Sequence, residues 1–273
     1  MVNPSDTSLD CVVLGTGNVA YSLVPQLIKA GINVRQIYGR NIAHAQEIAN
    51  LCKQLIRENK EITVTNSKGN ILAQADLYII TVADDAIATI CQSVNKHGGL
   101  WVHTSGSVPK EIFSSVSDVY GVIYPMQTFT KGIPVDLKNV PIFVEGSSEI
   151  IENQLISIAS RLSEKVTVAD SDTRKRIHAA AVFACNFVNY LWINAKEVLE
   201  TTGNDIEILF PLIQETWDKI HKISPLEAQT GPARRGDQRV IEEHLRLLPE
   251  NQRVIYEFLS NQIMKLYGKD RLQ

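Results

Sequence analysis

The stretch Cys11-Val12-Val13-Leu14-Gly15-Thr16-Gly17-Asn18-Val19-Ala20 decides how this chain is read. The apolar run 11–14 is short and unbroken, as in a strand buried on both faces, and an amphipathic stretch over 18–30 follows its glycines. Each small residue has a mechanical reason in such a strand-turn-helix unit. Gly15 permits the tight turn, Gly17 keeps a side chain out of the space before it, and Ala20 lets the helix lie close on the sheet. An anion placed there meets the free N–H groups and the positive dipole end of a helix.

Working outward, the alternation continues. CVVLG (11–15), NVRQIYG (33–39), LYIITVA (77–83), LWVHTS (100–105), VYGVIYP (119–125), PIFVE (141–145) and KVTVA (165–169) read as strands, with helical stretches at 18–30, 42–57, 84–96 and 148–162 between most of them. This pattern predicts an α/β fold, a doubly wound and mostly parallel Rossmann sheet over residues 1–169. Pro25 should kink the first helix. After Ala169 the strand signals stop. Asp170 and Asp172 can cap a long helix over about 173–201, ended at Gly203, and further helices are expected at 205–223, 238–247 and 250–267. Residues 170–273 are therefore expected to form an all-α domain for substrate binding and dimerisation, joined without a flexible linker.

With 27 basic and 30 acidic residues, the net charge of −3 leaves no basic footprint for nucleic acid or an anionic membrane. Cys11, Cys52, Cys91 and Cys185 form no C-x-x-C pair and read as reduced packing residues of a cytoplasmic protein. The opening MVNPSDTSLD has no apolar core and reads as no leader. The most apolar helix, about 177–199, carries Asn186, Asn189 and Asn194, which argues for a buried helix and against a membrane span.

The turn at 15–20 matches G-x-G-x-x-[GA], the dinucleotide signature, with Gly15, Thr16, Gly17, Asn18 and Val19 as candidate phosphate contacts. An NAD site would place Asp or Glu at the end of the second strand. Here that end reads Tyr38-Gly39-Arg40-Asn41, and no acid occurs between Asp10 and Glu47. Arg40 can pair with a 2′-phosphate and Asn41 can cap the next helix while donating to the same group, so NADP is the expected cofactor.

Ligands of open parallel sheets lie beyond the C-terminal strand ends. Val82 and Ala83 should flank the nicotinamide ribose, with Asp84 capping the next helix. His103, Ser105 and Gly106 form a polar mouth; equally, Ser105 can close a local turn and His103 can be a satisfied core histidine. Tyr124-Pro125-Met126-Gln127-Thr128-Phe129 is another candidate wall. In the last domain Lys175, His178, Val182, Asn186 and Asn189 share one stripe of an α-helix, either a hydrogen-bonded helix contact or the roof of an active site. Gly231-Pro232-Ala233-Arg234-Arg235-Gly236-Asp237 reads as an ordered loop whose Arg235 pairs with Asp237 or binds an anion. No zinc-type cluster and no G-x-S-x-G elbow occurs, so no metal is expected.

These residues resemble a family of NADP oxidoreductases that join a Rossmann-like domain to a helical domain of unknown function, distantly similar to pyrroline-5-carboxylate reductase and the 6-phosphogluconate dehydrogenase-like superfamily. The carriers are Gly15-x-Gly17-x-x-Ala20, His103-x-Ser105-Gly106, Pro125-x-Gln127-Thr128-Phe129, His178-Ala-Ala-Ala-Val-Phe-Ala-x-Asn186 and Gly231-Pro232-x-x-Arg235-Gly236-Asp237. Tyr124 departs from relatives that have His before the proline. The resemblance implies NADP binding and a homodimer built on the C-terminal helices, and leaves the substrate open. The expected activity is hydride transfer between the nicotinamide and a small carbonyl, imine or hydroxy metabolite held between the domains. Its proton would come from His178, Lys175 or His103, in that order, with Ser105, Gly106, Asn186 and Arg235 around the substrate. The alternative is a non-catalytic, NADP(H)-sensing dimer. Apolar closure around Lys175 and His178 would favour it.

Overall fold

The computed structural model describes residues 9–56, 60–94 and 98–269. The N-terminal residues read as lacking a leader, and the last residues expected for the helices 42–57 and 84–96, lie outside the described residues.

Eight strands form one sheet: β1 (Asp10–Leu14), β2 (Asn33–Tyr38), β3 (Thr63–Thr65), β4 (Leu77–Ile80), β5 (Leu100–His103), β6 (Tyr120–Pro125), β7 (Ile142–Gly146) and β8 (Val166–Val168). Their order is β3-β2-β1-β4-β5-β6-β7-β8, and all neighbours are parallel except β6 and β7. β3 is the strand that sequence reading missed; its three residues, TVT, are too few and too polar to signal one. The antiparallel step was also missed, because β6 and β7 are joined by a long irregular segment in place of a crossover helix.

Alternate strand residues point to opposite faces. Cys11 and Val13 enter a core with α1 (Asn18–Lys29), α2 (Ile42–Leu51) and α4 (Glu149–Ala159), while Val12 and Leu14 join Tyr78, Trp101 and Phe113 under α3 (Asp84–Cys91). Helix α1 runs through Pro25 without ending there. The sheet order reverses between β1 and β4, so the first two helix starts flank a switch-point crevice.

The helix expected over 173–201 is three pieces: α5 (Ser171–Ala181), a π-helical segment (Val182–Phe187) and α6 (Val188–Glu200). A π turn holds more residues than an α turn, so the stripe from Lys175 through Val182 to Asn189 is not one continuous face. Beyond it come α7 (Phe210–Ile220), the single turns α8 (Pro225–Ala228) and α9 (Pro232–Arg235), α10 (Gln238–Leu247) and α11 (Glu250–Leu266). By compactness the chain divides into residues 1–183 and 184–273. Helix α5 goes with the sheet because its Ser171 and Arg174 are hydrogen-bonded to Glu145 of β7.

The apolar segment 177–199 is not the buried helix that its composition suggested. Phe183, Phe187, Tyr190, Trp192 and Ile193 are exposed, and so is Cys185, while the other three cysteines are buried. Among the described residues no helix is long and apolar enough to cross a membrane.

Candidate active site

A cleft of about 970 Å³ opens at the C-terminal ends of β1, β2 and β4, the upper range for small-molecule sites and room for an extended dinucleotide. Gly15, Thr16, Gly17, Arg40, Asn41 and Ala83 are among its walls. At Gly15, φ is +136° and a Cβ would lie 2.4 Å from Thr81 Oγ1, so only glycine fits. Gly17 differs. Its Cβ would meet nothing closer than Thr81 O at 4.0 Å, so the protein leaves that space open before the start of α1. No side chain caps α1 there and no acid stands in its first turn, which leaves its N–H groups for an anion. At the β2 end, Asn41 Oδ1 accepts the Ala43 N–H at 2.9 Å and caps α2, whose first turn also lacks an acid. Arg40 is exposed beside it. Ala83, with Val82 before it, is the N-cap position of α3; Asp84 is the first helical residue and does not cap, contrary to expectation.

The second group of residues lies farther along the same edge. His103 is fully buried against Phe113, and its Nδ1 accepts the Ser105 N–H at 3.2 Å. Burial, with the Arg174 charge adding to it, pushes its pKa down to about 3, so the ring is neutral. Ser105 Oγ accepts the N–H groups of Ser107 and Val108, each at 3.0 Å. Both residues hold the loop in shape, and His103 has no exposed face to offer a substrate.

Gly106 permits the decisive approach. A Cβ there would stand 2.8 Å from Cγ of His178, so the imidazole lies directly against the loop backbone. The ring's Nδ1 is 3.0 Å from Tyr124 Oη, with the two rings edge to face. Tyr124 is buried at the end of β6, and burial raises its pKa, an effect that the Arg174 charge only partly opposes.

One helical turn before His178, Arg174 is completely buried and binds Glu145 Oε2 and the Val108 carbonyl, the latter at 2.6 Å. Glu145 also accepts from Lys110 Nζ at 2.7 Å and Ser171 Oγ at 2.9 Å. Burial alone would raise the Glu145 pKa; the hydrogen bonds from Lys110, Arg174 and Ser171 outweigh it and hold the carboxyl below its ordinary range. Register then explains the placement of His178. Glu145 pairs with Val122, and Tyr124 lies two residues farther on the same face, about 6.6 Å along the strand. From Arg174 to His178 is four helical residues, about 6 Å. Helix and strand climb in step, so the buried ion pair sets the ring beside the phenol.

Lys175 is exposed, 3.9 Å from Asp172, and takes no part in this cluster. Asn186 is exposed in the π-helical segment. Arg235 is exposed at the end of α9 and does not pair with Asp237, whose carboxylate instead accepts the Val240 N–H and caps α10. Among the described residues no His, Cys, Asp and Glu cluster could hold a metal.

A switch-point crevice with an open glycine turn, two helix starts and a cationic strand end defines a dinucleotide-binding oxidoreductase fold. Residues 11–104 match the family described as NADP oxidoreductase, coenzyme F420-dependent, and residues 140–263 match a domain of unknown function, DUF2520. A crystallised Bacteroides fragilis protein that carries the name of an NADP oxidoreductase is 38% identical, over 94% of this chain and 98% of its own, with a TM-score of 0.88. The chain belongs to that family of NADP oxidoreductases, and its cofactor is NADP. The fold is shared with a reductive aminase from Aspergillus terreus crystallised with NADPH and ethyl levulinate, at 14% identity over 97% of both chains and a TM-score of 0.72. It is shared too with the Streptomyces aurantiacus imine reductase, at 12% identity over 87% and 86% of the two chains and a TM-score of 0.61. No curated protein matches the chain in sequence.

Proposed function

We propose that this protein is an NADP-dependent oxidoreductase that moves a hydride between the nicotinamide and a small carbonyl, imine or hydroxy compound. The observation that carries this is the His178–Tyr124 pair, held against Gly106 on the edge of the sheet where the glycine turn lies. When bound, NADPH supplies the hydride. The protein then has to supply a proton to the heteroatom.

In this reading Tyr124, kept protonated by burial, would donate its O–H to Nδ1 of His178, 3.0 Å away, with the ring proton on Nε2. Nε2 would give that proton to the reduced substrate while Nδ1 takes the phenol's. An alkoxide or amide ion is more basic than a phenolate, so the transfer runs downhill. This polar pair speaks against an apolar closure of the site and so for the enzyme over the sensor. Backbone N–H groups around Gly15, Thr16, Gly17, Asn18 and Val19 would hold the pyrophosphate, Arg40 and Asn41 the 2′-phosphate, and Val82 and Ala83 the nicotinamide ribose. The test is a panel of small ketones with and without amines, followed by NADPH absorbance. His178→Ala should bind NADPH as the wild type does and lose about 10²–10⁴ in turnover; retention of full turnover would overturn the assignment.

The same reading includes a homodimer built on the C-terminal helices. Phe210, Leu212 and Trp217 of α7 are exposed, as are Tyr190, Trp192 and Ile193 of α6, more apolar surface than a lone chain leaves in water. Light scattering at micromolar concentration tests it; a monomer refutes it. The free cysteines fit a reducing cytoplasm.

A further inference from the structure

The segment after β3 enters the cofactor cleft at a point that the glycine signature does not describe. Lys68 lines the cleft together with Arg40 and His44. It stands in a 3₁₀ turn, Lys68–Asn70, that is fastened to the end of β2 from three sides. The Gly39 N–H donates to Thr65 O at 3.0 Å, extending the β2–β3 ladder to the residue before Arg40. The Thr65 hydroxyl accepts the Ser67 N–H at 3.1 Å, folding the chain back toward the cleft. The buried amide of Gln36 donates to Asn70 O at 3.0 Å and accepts the Leu72 N–H at 2.9 Å, gripping the far side of the turn. Such fixing of a short polar turn costs chain entropy, and the turn buries no residue of its own in return.

The turn holds a cation. Lys68 is half-buried, and neither it nor Arg40 makes an ion pair among the described residues. The acid among the cleft walls, Asp85, belongs to α3, across β1 from the β2 end. Two unpaired cations beside the start of α2 match a phosphate monoester, which carries close to two negative charges at neutral pH. One arginine neutralises about half of that.

We propose that Lys68 is a second specificity residue for the 2′-phosphate of NADP, and that Gln36 and Thr65 are the positioning residues that hold it there. The proposal rests on the assignment of Arg40 to that phosphate. Arg40 offers a planar fork of donors and Lys68 a compact point charge, so the two fill different sides of the anion. NADH lacks the phosphate and gains nothing from either charge, so the preference comes from the contacts that NADPH alone can make.

Titrations of NADPH and NADH, followed by protein or nicotinamide fluorescence at two salt concentrations, test this without any substrate. Lys68→Ala should weaken NADPH roughly tenfold to a hundredfold, the range of one charge-assisted contact, and leave NADH unchanged. Lys68→Arg should restore most of the preference. Thr65→Val keeps the charge and loosens the turn, so NADPH should weaken by about twofold to tenfold, again with NADH unchanged. Equal weakening of both cofactors by Lys68→Ala, or no change in NADPH, overturns the proposal. If Arg40→Ala leaves the preference intact while Lys68→Ala abolishes it, the Arg40 assignment falls and Lys68 carries the site alone. If the wild type binds no NADPH, the cofactor site itself is misplaced and Lys68 falls with it.

Discussion

In the sheet unit Cys11, Val12, Val13 and Leu14 are all completely buried, and so are Trp101, Phe113 and even the guanidinium of Arg174. In the helical unit Phe210, Leu212 and Trp217 are exposed, and the buried apolar cluster consists of Ala233, Ile241 and Met264. Both units carry the apolar periodicity that folding requires. A parallel sheet buries both faces of its strands within one chain, whereas α6 and α7 leave a wide apolar surface that this chain does not cover. The first unit is therefore a self-sufficient scaffold. On the proposed dimer the second would gain stability by association, and its stability should then vary with protein concentration.

The severest way to break the scaffold is to unpair its buried charge. Arg174→Leu leaves the buried Glu145 without its buried guanidinium partner and should cost about 3–5 kcal/mol in urea unfolding. Arg174→Met combined with Glu145→Leu should recover most of that, because the apolar pair leaves no buried charge and Lys110, partly exposed, keeps Glu111 as its partner. In the helical unit the corresponding change is Trp217→Glu. It should remove about 1.5–3 kcal/mol of apolar burial from each copy and give a monomer by light scattering, with NADPH titration unchanged.

Acid should separate the units further. His103 in the folded protein takes its proton only near pH 3, against an ordinary value of 6.5. Below about 6.5 the unfolded chain gains a proton that the folded one refuses, so stability falls by up to about 1.4 kcal/mol per pH unit. Glu145 acts lower on the scale. Its depressed pKa contributes stability above the ordinary value of 4.5, lost as the pH drops through the folded value. A melting profile should thus decline from about pH 6.5 and steepen below 4.5, and His103→Gln should flatten the upper part. Trp101 fluorescence should change before that of Trp192 and Trp217, since both acid-sensitive groups lie in the sheet unit. The smallest change proposed is Gly106→Ala, whose Cβ would meet the His178 ring at 2.8 Å. Overpacking of this kind costs about 1–3 kcal/mol, and displacing the ring should lower turnover roughly tenfold while NADPH affinity holds.

The glycine turn, the β2 end and seven of the strands were legible because they rest on local chemistry: small residues at fixed spacing and short apolar runs. Asn41 as a cap belongs to the same class. What escaped depends on partners distant in sequence. Nothing around Thr63–Thr65 announces a strand, so Lys68 had no place in the reading until β2 supplied the pairing. Arg174 stood in a basic run whose neighbours are exposed, and only Glu145, 29 residues away, makes it a buried pin. Tyr124 stands where relatives have His; in the fold its phenol meets an imidazole on α5. The polar stripe failed for a different reason. It assumed an unbroken α-helical period, and the π-helical segment at Val182–Phe187 changes that period midway.

The single antiparallel step in the sheet also decides which way the chain leaves it. β7 and β8 run against the other six strands, so residue 168 ends at a level from which α5 must climb toward the rim where β1, β4 and β5 finish. Had those two strands kept the direction of the rest, the chain would have emerged at that rim and α5 would have descended from it, carrying position 178 to the far side of the sheet. The place of the proposed proton donor is in this sense a matter of strand parity, set by the one antiparallel pairing between β6 and β7.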